Sequence, residues 1–167
     1  MSYKYSKGAQ VIGDLKAADD AERNTQIDFE DDYIGFETSG SAVMVVSGSK
    51  VGIGTTSPIT SLHIDGSYAG KASVISSYPH AVSDTDYIIL ATGTGSPVRK
   101  VTLPATSGRQ GRIIIVKDAS GNASTNGLEV DGNGSETIDG TPDKLINSDY
   151  GFLVLVCGAS QWHVIGQ

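Results

Sequence analysis

The stretch VGIGTTSP at residues 51–58, followed by LHI at residues 62–64, decides how this chain of 167 residues is interpreted. The pattern predicts a strand, a corner and a second strand. The valine and isoleucine of VGIG alternate with glycines, so one face of the first strand has no side chains. Another segment of backbone can therefore lie close against that face, and we expect one to pack there. Pro58 has no N–H to donate and interrupts the strand.

The composition favours β structure with many turns. The chain contains 21 glycines and 38% hydrophobic residues, while charged residues make up only 19%, below the globular average of about 25%. The formal net charge is −7, which argues against an electrostatic nucleic-acid binder, so we expect no nucleic-acid partner. Most of the acidic side chains of the first third are interpreted as a solvated surface.

Three negative expectations follow from the apolar runs. The single cysteine, Cys157, lies within the apolar run 151–157 and is expected to be a small buried residue rather than a nucleophile. No apolar run approaches the roughly 20 residues that cross a bilayer, so we expect no membrane insertion. The N-terminus lacks a charged-then-apolar secretory pattern, so we expect synthesis without a signal peptide.

The N-terminal part divides into two segments. Residues 1–24 are expected to be partly ordered, and the apolar spacing within residues 14–23 would permit one short helix. Residues 25–65 carry apolar residues in short runs separated by Gly, Ser and Asp, a pattern that predicts several short strands.

A single copy of residues 25–65 has too little apolar surface to form a core of its own. Such short runs cannot easily offset about 1–2 kcal/mol of backbone entropy per residue. We therefore expect identical chains to complete the core, and three short-stranded chains wound about a common axis would enclose it. The residues expected inside are Ile27, Phe29, Ile34, Phe36, Val43, Val45, Ile53, Leu62 and Ile64.

The C-terminal part has a different pattern of apolar and turn residues. Residues 66–80 are predicted to form a neck or linker, since they begin with a small, polar run. Residues 81–167 contain seven apolar runs separated by turn sequences, and seven strands at this spacing predict an antiparallel β-sandwich. The predicted strands are 87–91, 98–103, 112–117, 127–130, 144–146, 151–157 and 162–165, the last two forming a hairpin.

The motif VGIGTTSP followed by LHI resembles the recurring shaft motif of bacteriophage tail fibres. The strands expected at 27–36 and 40–46 are similar to those that precede this motif, and residues 82–165 resemble the small all-β tips of fibres. The resemblance implies a parallel homotrimer in the virion, with an intertwined, prism-like β shaft. It implies that the protein is made in the host cytoplasm and is joined on its N-terminal side to other phage tail proteins. It also implies non-enzymatic adhesion to a bacterial cell-surface glycan or protein.

Aromatic and loop residues of the tip are the candidates for receptor binding. Exposed aromatic rings with amide and hydroxyl groups nearby suit sugar faces or protein loops, and rigid β scaffolds commonly carry recognition on loops. Trp162 alternates with Val164 and fits a core position as well. The candidates are Tyr78, Tyr150, Trp162, Asn122, Asn126 and Thr94.

No catalytic or cofactor pattern can be singled out. The three histidines have no recognisable catalytic spacing, and no G-x-S-x-G elbow is present. His63 is a weak metal candidate, since three copies near a trimer axis would bring three imidazoles together. We therefore predict no enzyme, no cofactor and no metal. Two rival functions remain: a purely structural trimerisation cap, and a polysaccharide-degrading tail protein with carboxylates at chain interfaces.

Overall fold

A computed structural model describes residues 15–16, 19–22, 24–93 and 99–167. These described residues are mostly β, with 47% strand, one short helix and three mixed sheets. It divides into two compact units, which we call unit 1, Met1–Ala69, and unit 2, Gly70–Gln167.

Unit 1 contains one six-stranded sheet in which each strand pairs with its neighbours in the chain. The first five strands pair antiparallel, and the fifth and sixth pair in parallel. The strands are β1 Leu15–Lys16, β2 Gln26–Glu30, β3 Tyr33–Thr38, β4 Ser41–Ser47, β5 Lys50–Ile53 and β6 Leu62–Ile64.

The expected N-terminal helix is not formed by the described residues of its span. Leu15–Lys16 forms β1, which pairs antiparallel with β2 through Leu15 and Ile27. A single turn of helix has little stability of its own, whereas an apolar side chain on a strand gains a neighbour from the sheet. Residues 14, 17, 18 and 23 of the expected helix lie outside the described residues.

The VGIGTTSP stretch makes a short crossover between two parallel strands. Val51 pairs with Leu62 and Gly52 with His63, so the connection 54–61 must return along the sheet to start β6 beside the start of β5. A Cβ at Gly52 would lie 2.4 Å from the carbonyl oxygen of Thr55 and 3.0 Å from a methyl group of Val45. The prediction that backbone packs on the glycine side of this strand is confirmed.

Unit 2 contains a five-stranded sheet, in the order β15-β14-β11-β9-β7, and a four-stranded sheet, in the order β13-β12-β10-β8. The short helix α1, Ala123–Asn126, lies between β11 and β12. The strands are β7 Ala72–Ile75, β8 His80–Ala81, β9 Ile88–Ala91, β10 Arg99–Thr102, β11 Ile113–Asp118, β12 Leu128–Asp131, β13 Asp143–Ile146, β14 Phe152–Cys157 and β15 Trp162–Gly166.

All seven strands predicted for the tip are present, and the predicted hairpin of the last two strands is confirmed. The expectation that the pairing is antiparallel throughout is wrong, because both sheets of unit 2 are mixed. From β7 to β12 the chain alternates between the two sheets, so neighbours within a sheet are two strands apart in sequence and run parallel. Antiparallel hairpins form where consecutive strands stay in one sheet, as in β12–β13 and β14–β15. Strand spacing alone does not distinguish a hairpin from a crossover.

The predicted neck at 66–80 also contains structure that the sequence analysis did not predict. Its residues 72–75 form β7, the edge strand of the five-stranded sheet, and His80 belongs to β8. Buried residues from strands of both sheets form one core cluster, which includes Ile89, Ile114 and Leu155 from one sheet and Val101 and Leu128 from the other.

Candidate functional site

One face of the unit 1 sheet consists of apolar side chains arranged in two rows across the strands. Directly paired residues lie on the same face of a sheet, so the pairing register fixes the members of each row. We call this surface the unit 1 apolar face. One row contains Leu15, Ile27, Phe36, Met44, Ile53 and Ile64, and the other contains Phe29, Ile34, Val46, Val51 and Leu62.

Four of the eleven side chains of the unit 1 apolar face are exposed in the single chain, and the other seven are half-buried. Leu62 is 58% exposed, Phe29 48% and Ile53 41%. Monomeric soluble proteins rarely expose a contiguous apolar patch larger than a few hundred Å². A face built from eleven apolar side chains therefore resembles one half of an interface.

The opposite face of the same sheet is polar. Gln26 donates a hydrogen bond of 2.7 Å to Glu37 across β2 and β3, and Asp28 and Glu30 occupy the same face. Its buried apolar residue is Val45, which is 0% exposed. The crossover packs against Val45 from the side of Gly52, so this residue is already covered by its own chain.

Seven of the nine residues expected in a trimer core lie together on the unit 1 apolar face. Val45 lies on the opposite face, and Val43 lies at a β-bulge where the register between β3 and β4 shifts. The sequence analysis missed four residues of this face: Leu15, Met44, Val46 and Val51. In the run Ala42–Val46 every residue is apolar, so the pattern does not reveal which alternate set faces outward.

A second candidate site lies in unit 2, where Asp118 at the end of β11 joins two loops. Its side chain is 0% exposed and forms a 2.8 Å ion pair with the fully buried Arg99. The other carboxylate oxygen accepts hydrogen bonds from the backbone N–H groups of Asn122 at 2.9 Å, Ala123 at 3.1 Å and Tyr150 at 3.1 Å. Asp118 therefore fixes loop 118–126 against loop 147–151.

The hydrogen bonds to Asp118 keep it ionised in the core. Burial opposes ionisation, but the hydrogen bonds from Arg99, Tyr150, Ser120 and Ala123 outweigh that effect and hold the pKa of this carboxyl well below its usual range. A buried carboxylate with this number of donors rigidifies the backbone that supplies them.

Tyr150 is the exposed aromatic residue that these loops present. Its side chain is 63% exposed, and its backbone has a φ of 58°. The Lys117 ammonium donates a hydrogen bond to the Tyr150 carbonyl oxygen and lies 5.7 Å from the centre of the ring. Gly121 contacts the ring closely, since a Cβ there would lie 2.5 Å from it. A side chain at position 121 would displace the tyrosine.

The structure brings three of the receptor-binding candidates into this loop cluster: Tyr150, Asn122 and Asn126. Asn122 donates through its backbone to Asp118, and the carbonyl of Asn126 faces the Arg99 guanidinium at 3.5 Å. The sequence analysis missed Asp118 and Arg99, which hold the cluster together.

The other three candidates do not join this cluster. Trp162 is corrected as a binding candidate: it is 0% exposed, and its indole N–H donates to the carbonyl of Pro104 at 3.1 Å, so it belongs to the core. Tyr78 is partly buried and donates to the carbonyl of Thr92 at 2.8 Å, and burial raises its pKa. Thr94 lies outside the described residues.

His63 lies on the polar face of unit 1, between two residues of β6 that point to the apolar face. An interface formed by the apolar face would therefore place this imidazole away from the axis. Within residues 15–16, 19–22, 24–93 and 99–167, no group of three His, Cys, Asp or Glu side chains could hold a metal ion.

Cys157 is 2% exposed within the core cluster of unit 2, as the sequence predicted. Burial raises the pKa of its thiol, which lowers the fraction of reactive thiolate.

Comparison with known proteins leaves the family open. No protein-family model matches the chain, and no curated protein matches it either. In the part of the chain that the structure describes, no helix has the length and apolar character to cross a membrane.

Proposed function

We propose that this chain is part of a bacteriophage tail fibre that adheres, without catalysis, to a bacterial surface. In this proposal unit 1 is a segment of a homotrimeric shaft, and unit 2 is a β-sandwich tip whose loops contact a cell-surface glycan or protein. The observation that carries the proposal is the unit 1 apolar face.

The unit 1 apolar face supports self-association because the two sides of the sheet differ so clearly. A sheet with one apolar side is stable in water only when that side packs against another layer of structure. Three copies that turn this side inward and the acidic side outward would form a closed prism, and the open edges of the sheet would be protected by neighbouring chains. The resemblance of residues 51–58 and 62–64 to the fibre shaft motif points to the same arrangement.

The loop cluster around Asp118 supports adhesion through the tip. An exposed aromatic ring held on a rigid backbone, with hydroxyl and amide groups nearby, is a common basis for recognising sugar faces or protein loops. Three copies of one weak site would add avidity on a repetitive bacterial surface.

The trimer is tested by measuring molar mass with light scattering after size-exclusion chromatography. We expect about three times the 17.3 kDa chain. Phe29→Lys should move dissociation of the trimer to a protein concentration at least tenfold higher, because an ammonium would be buried in the interface. Glu30→Lys is the matched control, since this neighbour lies on the polar face and should leave the mass unchanged. A monomeric wild type, or equal behaviour of the two variants, would refute the shaft.

A purely structural cap is the second candidate, because the unit 1 apolar face supports assembly without requiring adhesion. Binding of the fluorescently labelled protein to a panel of bacterial strains and to purified lipopolysaccharide separates the two functions. Adhesion predicts that Tyr150→Ala weakens binding to any strain that the wild type recognises, with the oligomeric mass unchanged. Undiminished binding by this variant, or no binding by the wild type across the panel, would favour the cap.

A further inference from the structure

A cleft in unit 2 opens beside the turn that joins β13 to β14. Its volume is about 520 Å³, within the range of roughly 300–1,000 Å³ that is usual for small-molecule sites. The cleft is lined by residues 145–153 and by Gln167, which follows β15. We call it the β13–β14 cleft. Because Tyr150 belongs to its lining, the cleft is continuous with the loop cluster around Asp118.

Polar side chains of the β13–β14 cleft are free to bind a ligand. Asn147, Ser148 and Tyr150 are all exposed. In the part of the chain that the structure describes, no group bonds the amide, the hydroxyl or the phenol of these three side chains. An amide and a hydroxyl each donate and accept hydrogen bonds. The cleft can therefore satisfy neighbouring hydroxyl groups on a sugar ring, each of which also donates and accepts.

Apolar side chains supply the rest of the lining. The side chains of Tyr150 and Phe152 are 63% and 41% exposed, whereas Ile146 and Leu153 are buried. A pyranose ring has an apolar C–H face bordered by hydroxyl groups, and an aromatic ring with a polar edge packs well against such a face. The cleft therefore combines aromatic surface with the hydrogen-bonding groups that a sugar ring requires.

The backbone of Tyr150 is held in a conformation that tyrosine rarely adopts. The Gly151 N–H donates to the Ser148 carbonyl at 2.9 Å and closes a four-residue turn, in which Tyr150 takes the third position with a φ of 58°. Glycine or asparagine is usual where a turn needs a positive φ at this position. Asp118 fixes the conformation by accepting from the Tyr150 N–H at 3.1 Å. Backbone strain that the surrounding structure fixes in this way clusters at ligand sites.

The charge of the β13–β14 cleft discriminates between sugars. Among the described residues that line it, Asp149 carries a charge and none is Lys, Arg or His. The Ser124 N–H donates to the Asp149 carboxylate at 2.9 Å and holds the pKa of this carboxyl below its usual value, so it is ionised at neutral pH. The nearby Lys117 ammonium already donates to the Tyr150 carbonyl. A carboxylate or phosphate on the ligand would therefore meet a like charge, whereas a neutral ring would not.

We propose that the β13–β14 cleft binds a neutral sugar, a hexose or an N-acetylhexosamine, of a bacterial surface glycan. The inference rests on the proposed adhesion through the tip, and it adds the class of ligand and the place where it binds. The Tyr150 ring stacks on the apolar face of the sugar, and Asn147 and Ser148 bind its hydroxyl groups. Asp149 excludes acidic sugars.

The test uses the full chain and saturation-transfer difference NMR, which detects weak sugar binding. The neutral probes are the methyl glycosides of glucose, galactose and N-acetylglucosamine, and the acidic probes are those of glucuronic and galacturonic acid. At least one neutral glycoside should bind. Its uronic counterpart, which differs only in the carboxylate, should bind about fivefold more weakly, as expected for two like charges in contact in water.

Substitutions assign the binding to the cleft. Asn147→Ala and Tyr150→Ala should each weaken binding of the neutral glycoside by about fivefold or more, because each removes a direct contact. Asn133→Ala is the matched control, since this exposed amide lies between β12 and β13 and does not line the cleft. Asp149→Asn keeps an oxygen that accepts from Ser124 and should remove the discrimination against the uronic acid. Fluorescence of the buried Trp162 reports whether unit 2 of each variant remains folded.

The outcomes separate this inference from adhesion itself. If no neutral glycoside binds, the inference is overturned; adhesion stands in that case where Tyr150→Ala still weakens attachment to bacteria, and the loops then recognise a protein. Equal binding of neutral and uronic glycosides, or binding that Asn147→Ala and Tyr150→Ala leave unchanged, also overturns it. Sugar binding at the cleft without attachment to any strain would keep the inference and refute adhesion.

Discussion

Replacing Asp118 by Asn is expected to lower the free energy of unfolding of unit 2 by about 3–5 kcal/mol, the cost of breaking a buried ion pair by removing one partner. The wild-type carboxylate accepts from Arg99 and Ser120 through one oxygen and from three backbone N–H groups through the other. The amide keeps one oxygen and brings two N–H donors. Whichever way it turns, donors face donors and the buried Arg99 loses its counter-charge.

The size of the effect should be large compared with the stability of the unit. Domains of this size have a free energy of unfolding of about 5–15 kcal/mol, so the substitution removes a substantial share. With a urea m-value of about 1.5 kcal/mol/M, the loss corresponds to a midpoint roughly 2–3 M lower. In the orientation that keeps the amide oxygen on Arg99, the N–H groups of Asn122, Ala123 and Tyr150 lose their common acceptor, so loops 118–126 and 147–151 should also become mobile.

Urea unfolding followed by fluorescence measures this directly, since the single tryptophan is buried in unit 2. The matched control is Asp84→Asn, which removes a carboxylate that is 68% exposed and pairs with Arg109 and Arg112 at 2.7 and 3.0 Å. Ion pairs in water contribute little, so the control should leave the midpoint unchanged. Equal midpoints for the two variants would refute the role assigned to Asp118.

Two further predictions concern the glycine side of β5 and the acid stability of unit 2. Gly52→Ala should destabilise unit 1 by about 1–3 kcal/mol, because its Cβ would lie 2.4 Å from the Thr55 carbonyl oxygen. Hydrogen exchange of the β4–β6 amides measures this loss of stability. Gly166→Ala is the control, because the closest atom to a Cβ at Gly166 would be a Val154 methyl carbon at 3.3 Å. Unchanged exchange with Gly52→Ala would contradict the crossover packing. The second prediction rests on Asp118 and Asp86, whose hydrogen bonds outweigh burial and hold both pKa values below the ordinary value of about 3.9. Their contribution is complete above about pH 4 and is lost as the pH falls towards the folded-state pKa values, so unfolding free energies should be flat from pH 7 to 5 and fall below pH 4; a decline beginning near pH 6 would contradict this assignment.

The sequence predicted the strands of this protein better than their pairing. All seven tip strands lie where the alternation of apolar runs and turn sequences indicated. The parallel pairs of unit 2 form because each strand from β7 to β12 joins the sheet opposite to that of the strand before it. A turn sequence such as that between β9 and β10 has the same composition whether the chain stays in one sheet or crosses to the other. β7 was missed because ASVI has only one residue, Ile75, that reaches the core.

The candidate sites were predicted unevenly for related reasons. Ile27, Phe29, Ile34 and Phe36 alternate with polar or glycine residues, so their common face could be inferred from the sequence. In Ala42–Val46 no polar residue marks the other face, and the bulge at Val43 shifts the register. Asp118 accepts a hydrogen bond from the backbone of Tyr150, which lies 32 positions further along the chain. A local turn sequence carries no information about a contact at that separation.

The strand order of unit 1 has a consequence for the time at which its sheet can form. Each of its strands pairs only with the strand before and after it in the chain, so every ladder closes a short loop and the contact order of the sheet is low. In unit 2, by contrast, β11 pairs with β14, so the ladder between these two strands cannot form until β14 has been synthesised. During synthesis from the N-terminus, unit 1 can therefore complete its hydrogen-bonded sheet while the last strands of unit 2 have yet to leave the ribosome.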